Sequence, residues 1–277
     1  MNLAKSLELL NLIGDGTNYN KEFDYSLTET SKDQIKATSI LNCLNQEKIE
    51  YINNKINELY ISNLYQRKSE IHGKKHIENV MLFAMIIATI EGLDIKEIDL
   101  LLEAAMYHDQ GRDNDLDEQH GIESAYIVGR DLENKYTEEE IKIIQAAIMF
   151  HDDRTKGETL KDIENNGFNA IVERLKLSEE LVGKTRKIGN ILKDSDALDR
   201  ARFVEDVCPI DETYLRTEIS KRLIKFAMQL HEAYSIDELQ KLLANENEEI
   251  KQEIEDYKNA TSPIRAKNYY LNGLENY

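Results

Sequence analysis

Two apolar, helix-period segments joined by a short link constrain this chain more than any other feature. His76-Ile77-Glu78-Asn79-Val80 opens a strong helix that runs to about Glu91. Gly92 stops it and Asp94 caps the next helix. Leu100, Leu101, Leu102, Ala104 and Ala105 carry that second helix to Met106-Tyr107-His108-Asp109-Gln110-Gly111-Arg112. As antiparallel neighbours, the two helices would bring His76 and the His108–Asp109 pair to the same end. Adjacent His and Asp side chains can hold a metal together. Imidazole offers a neutral nitrogen, and carboxylate offers charge and two oxygens able to bridge two ions.

The alternation continues. His120-Gly121 opens a further helix through Ser124, Ala125, Ile127 and Val128. Thr137 and Glu140 form a capping box for the next, whose apolar face (Ile141, Ile144, Ala147, Ile148) leads to Phe150-His151-Asp152. Start, end, start, end: one end of a bundle can therefore collect four imidazoles and a carboxylate. Residues 178–203 read as one long helix containing Asp194 and Asp196, with Asp196 facing inward to complete the set and Asp199 and Arg200 in position to border it. Of the six histidines, only His231 sits within a plain amphipathic helix, as an ordinary surface or packing residue.

No period-two alternation supports a strand, and a chain with only two prolines and no tryptophan reads as all-α. A short helix over 2–13, a polar loop over 15–33 and a helix over 46–66 make an N-terminal extension of residues 1–60. The core spans 61–210, and residues 211–277 form C-terminal helices, Thr217 to Ala233 and Ile236 to about Tyr257, packing on it as one structural unit. These last helices are candidates to cover a pocket or to form a homodimer face. Polar stretches around Gly157 and Asn165-Asn166-Gly167 read as loop. The acidic stretch 113–119 lacks the glycine and glutamate of a calcium loop. A formal net charge of -18 argues against broad binding to nucleic acid or to an anionic membrane. Cys43 and Cys208 form no CxxC, the N-terminus lacks signal-peptide order, and the longest apolar run, Met81 to Ile90, is too short to span a bilayer. A cytoplasmic protein is expected.

The order of these motifs resembles that of the HD-domain metal-dependent phosphohydrolases, in the branch with two metals. The matches are His76, His108-Asp109, His120 in His-Gly-Ile-Glu-Ser-Ala, His151 in Phe-His-Asp, and Asp196 in Asp-Ser-Asp-Ala-Leu-Asp-Arg, over roughly residues 67–203. The resemblance implies an HD-domain helical bundle with N- and C-terminal helical extensions. It also implies that His76, His108, Asp109 and Asp196 hold a first divalent ion. Asp109 would bridge to a second ion, held also by His120 and His151. Asp194 is the rival of Asp196; Ser195 before Asp196 and Ala197-Leu198-Asp199 after it favour Asp196, leaving Asp194 behind the ligands or exposed. Asn79 replaces an arginine common in the first motif. The paired acidic residues of guanosine-tetraphosphate hydrolases and the Gly-Tyr-Pro signature of cyclic-di-GMP phosphodiesterases are missing. The motifs are also distantly similar to phosphodiesterase domains acting on ADP-ribosylated or phosphoribosylated ubiquitin.

Mixed imidazole and carboxylate ligation suits iron, manganese, cobalt, nickel or zinc. Two such ions can activate a hydroxide and clamp phosphoryl oxygens. The expected activity is hydrolysis of a nucleotide or nucleotide-like phosphoester, with a small phosphorylated molecule as partner and no organic cofactor. His72, Lys75 and Arg112 are the basic groups nearest the ligands in sequence, candidates to orient phosphate and assist the leaving group beside Asp109. Arg67, Arg200, Arg202 and Arg216 are weaker candidates for substrate contact. Gly111 is expected to let the chain turn away from the metals. A non-catalytic nucleotide or metal sensor and a di-iron oxygenase of the same superfamily are the alternatives. An intact ligand set argues against the first, and the basic cluster Arg67 to Lys75 against the second.

Overall fold

The computed structural model describes residues 35, 43–65, 72–113, 120–152, 160–203, 210–228 and 230–231. The expected helices over 2–13 and 236–257, the loop over 15–33, the acidic stretch 114–119 and Arg67 lie outside the described residues. Among the described residues, seven long helices stand out: α1 (Gln46–Ile61), α2 (Lys74–Ile90), α3 (Ile95–Tyr107), α4 (His120–Asp131), α5 (Glu138–His151), α6 (Leu160–Leu175) and α7 (Glu179–Asp199). A short α8 (Glu218–Lys221) follows, and no strand occurs among the described residues. None of their helices is long and apolar enough to cross a membrane.

The chain divides into two compact units. One comprises Cys43–Asp199 and Glu212–Lys221. The described part of the other contains Ile35, the 3-10 turn Arg200–Phe203, residues 210–211 and the stretch from 222 onward, where Leu223, Ile224, Phe226 and Ala227 are buried. There Ile35 N–H donates to the Arg222 carbonyl at 2.8 Å.

In the larger unit α2 is the central helix. Every residue from His76 to Ala88 is buried, as its apolar character on all sides requires. It packs on α1, α3 and α7, and α5 packs on α3, α4, α6 and α7. Gly92 at φ +72° ends the α2 turn, a left-handed backbone that glycine adopts without strain. Asp94 then starts α3 with a full capping box: its carboxylate accepts from Glu97 N–H at 2.8 Å, and Glu97 accepts from Asp94 N–H at 3.1 Å. Thr137 and Glu140 do the same for α5. These short links turn α2 and α3 into a hairpin with His76 and His108 at one end.

Three local expectations change. The polar region around 165–167 is helical, inside α6, because Phe168 and Ile171 are buried and the Phe168 ring lies 5.0 Å from that of Phe150. Packing outweighs the poor helix propensity of Asn165-Asn166-Gly167. α1 ends at Ile61, earlier than residue 66, where Ser62 hydroxyl bonds back to the Leu59 carbonyl. The helix expected from Thr217 is interrupted after α8.

Candidate metal centre

Four imidazoles converge because each is anchored from behind. His108 Nδ1 lies 2.7 Å from the Ala105 carbonyl, and His151 Nδ1 lies 2.5 Å from the Ile148 carbonyl, each one helical turn back. His76 Nδ1 lies 2.7 Å from Asp199 Oδ2, and His120 Nδ1 lies 3.3 Å from Asp152 Oδ2. A carbonyl or carboxylate oxygen accepts, so Nδ1 carries the proton in these rings and Nε2 presents a lone pair. The Nε2 atoms then face one another in pairs, His76 with His108 at 3.3 Å and His120 with His151 at 3.1 Å. Lone pairs so close repel unless a cation stands between them.

Asp109 divides the pairs. Its Oδ2 is 3.4 Å from His76 Nε2 and 3.7 Å from His108 Nε2. Its Oδ1 is 2.9 Å from His120 Nε2 and 3.8 Å from His151 Nε2. Asp196 Oδ1 adds a donor 3.3 Å from His76 Nε2 and 4.0 Å from His108 Nε2. Donors about 2.1 Å from a common ion stand roughly 3.0–3.4 Å apart as octahedral or tetrahedral neighbours. His76 with His108, with Asp109 Oδ2 and with Asp196, and His120 with His151, stand within that range, while the contacts of 3.7–4.0 Å lie a few tenths of an ångström beyond it. His76, His108, Asp109 and Asp196 could hold one divalent ion, and His120, His151 and the other oxygen of Asp109 a second. The donor mixture of imidazole and carboxylate suits transition metals.

Around His108 and the two carboxylates the electrostatics agree. Burial drives the His108 imidazolium down to a pKa of about 3, leaving the ring neutral and able to ligate. Burial alone would raise the Asp109 carboxyl, but His108, His120, His151 and His72 hold it well below the usual carboxylate range. For Asp196 too, His76 and His108 outweigh burial and lower the pKa. The imidazoles are deep, with His108 fully buried, whereas the Asp196 side chain is 38% exposed. Asp196 is the most exposed of the six candidate ligands.

Of the basic candidates, His72 and Arg112 reach the centre. His72 Nδ1 is 2.8 Å from Asp109 Oδ2, and Arg112 Nε donates to Asp109 Oδ1 at 2.8 Å. Lys75, with a side chain 41% exposed, directs its ammonium to the buried Glu78 carboxylate, 3.8 Å away. Arg216 belongs with Asp194: its backbone N–H donates to Asp194 Oδ1 at 2.9 Å and its guanidinium lies 3.5 Å away. Arg200 and Arg202 fall in the other compact unit. Asp194 is not exposed. It is buried and accepts from the backbone of Arg216 and Thr217, a brace for the start of α8, and burial pushes its pKa up despite those donors.

Further residues support the ligands. Asn79 Nδ2 donates to Asp199 Oδ1 at 2.7 Å, which fixes the carboxylate behind His76. Asp152, which reads from sequence as a solvated charge at a helix end, turns back on His120. Tyr65 grips both flanks of the His108–Asp109 turn: its hydroxyl donates to the Met106 carbonyl, and its N–H donates to Gln110 Oε1, both at 2.9 Å. Its backbone is left-handed, at φ +54°. A tyrosine in a polar stretch carries no sequence signal for that role. Asp199 did carry one, its spacing of one helical turn from Asp196. Gly111 serves close approach: a Cβ there would stand 2.5 Å from Ser124 N, where α4 crosses the turn.

No curated protein and no solved structure matches the chain. A family model does: that of the HD domain matches residues 74–201, from the first residue of α2 to just beyond α7. All the proposed ligands fall inside that span, and residues 74–201 match the HD domain, consistent with the metal-dependent phosphohydrolase superfamily.

Proposed function

We propose that this centre hydrolyses a phosphoester of a nucleotide or nucleotide-like molecule, with two divalent transition-metal ions held by His76, His108, Asp109, His120, His151 and Asp196. The observation that supports the reading is the division of Asp109, one oxygen toward each imidazole pair. Bound ions of this kind acidify water and draw negative charge from a phosphoryl group.

The chain's own groups complete the chemistry. Arg112 and His72 have side chains 15% exposed and stand beside Asp109, within reach of a ligand entering past Asp196. Arg112 meets phosphoryl oxygens through N–H groups that do not engage Asp109. His72, when protonated, gives its proton to the leaving oxygen as the ester bond breaks. The Arg112 guanidinium beside Asp109 also favours an anion in a protein whose net charge is -18.

The test is turnover of bis-p-nitrophenyl phosphate and of a panel of nucleotides and dinucleotides with added manganese. Wild type releases product only with metal, and Asp109→Ala falls to the uncatalysed rate. Arg112→Ala loses a charged hydrogen bond worth about 2 kcal/mol, a rise of roughly thirtyfold in KM. Metal-independent release, or full activity in Asp109→Ala, would sink the reading.

A further inference from the structure

We propose that Asp199, fixed by Asn79, is a positioning residue that strengthens one of the two metal positions and so sets the order in which they fill. The inference rests on the metal-centre reading above and adds an asymmetry to it.

The four anchors behind the imidazoles differ in kind. His108 and His151 lean on neutral peptide carbonyls. His120 faces a carboxylate at 3.3 Å, long for a charge-assisted hydrogen bond. His76 faces one at 2.7 Å. A carboxylate accepting the Nδ1 proton makes the ring a stronger donor at Nε2 than a carbonyl does. Asp199 is itself 3% exposed, and its second oxygen is occupied by the Asn79 amide at 2.7 Å.

Two helices build this support with the same spacing. On α2, Asn79 lies one turn after His76. On α7, Asp199 lies one turn after Asp196. One level of the α2–α7 contact thus presents ligands, with His76 Nε2 3.3 Å from Asp196 Oδ1. The next level holds the brace, Asn79 to Asp199, which reaches back to His76. Behind His120, Asp152 accepts from Gly121 N–H at 3.3 Å, a longer contact than the 2.7 Å that Asn79 makes with Asp199. The position shared by His76, His108, Asp196 and Asp109 Oδ2 therefore has two carboxylates and a carboxylate-braced imidazole. The position of His120, His151 and Asp109 Oδ1 has one shared carboxylate and an imidazole backed by Asp152 at the longer distance of 3.3 Å. The first fills at lower metal concentration.

The experiment is calorimetric titration of manganese(II) into the metal-free full-length chain, followed by electron paramagnetic resonance at one equivalent. Wild type takes up two ions in two resolved steps, and at one equivalent shows isolated manganese. Asp199→Asn keeps the shape and removes the charge. It weakens the stronger step about ten- to hundredfold and leaves the weaker step in place, so that the steps merge and coupled manganese pairs appear at one equivalent. Two unchanged steps in Asp199→Asn, or equal weakening of both, overturn the inference and leave the metal centre standing. No manganese uptake by wild type overturns both. If Asp199→Asn loses its helical circular dichroism, Asn79→Ser replaces it. Asn79→Ser releases the carboxylate without removing it, and must weaken the same step selectively for the inference to survive.

Discussion

At Gly111 the room for a side chain is nil. Added there, a Cβ would lie 2.5 Å from Ser124 N and 2.8 Å from the His120 carbonyl, both backbone atoms of α4. The Gly111 N–H also donates to Ser124 Oγ at 2.8 Å, which ties the turn after Asp109 to the helix that begins with His120. Gly111→Ala is expected to cost about 1–3 kcal/mol of stability by overpacking, read as a lower urea midpoint, and to weaken metal uptake by displacing His120. A glycine next to a His-Asp pair is visible in sequence. The sequence suggests a chain reversal, but the structure assigns it to contact with a residue thirteen positions on. The same limit applies to Asp194 and Asp196. Neighbour residues favoured Asp196, and the helix geometry puts Asp196 on the histidines and Asp194 on the backbone before α8.

The elements are held in place by polar ties as well as by burial. α1 docks on α3 through Lys55, whose ammonium lies 2.6 Å from Glu103 and 2.8 Å from Asp99. Tyr51 and Tyr136 hydroxyls also donate to Asp99, and Lys135 pairs with Glu103. Removing the cation leaves buried acid behind, so Lys55→Met is expected to cost about 3 kcal/mol, measured by chemical denaturation at neutral pH. Burial would raise Asp99, but Lys55, Tyr136 and Tyr51 outweigh it and lower its pKa. Its contribution is therefore present above the unfolded value of 3.8 and lost as pH falls through the folded value. Burial would lower Lys55, yet Glu103 and Asp99 raise it, so its contribution is complete below 10.5 and fades only as pH rises beyond. The gap between wild type and Lys55→Met should shrink below pH 3.8 and above pH 10.5, and a gap constant with pH would show that packing, not charge, docks α1. A capping aspartate made the start of α3 readable and a capping box that of α5, since each is a local code of a few residues. α6 was not readable, because Phe168 against Phe150 is a contact between helices.

For the molecule as a whole, metal binding couples to folding. The centre gathers side chains from α2, the turn after α3, α4, α5 and α7, so ions that bind only the folded state stabilise the entire unit. A free metal concentration a hundredfold above Kd should add about 2.7 kcal/mol. The expected outcome is a rise in Tm with manganese that a chelator reverses and that Asp109→Ala abolishes. A Tm indifferent to metal would contradict the centre. The sequence alone determined the helical class and the antiparallel α2–α3 pair, and it nominated six candidate ligands, because helix period, caps and the order of His and Asp motifs are local properties. Tertiary structure decided which oxygen of Asp109 faces which imidazoles, which nitrogen each histidine presents, and that Asp199, Asn79 and Tyr65 brace the ligands. Those facts depend on distances between helices, and periodicity along one chain carries no information about them.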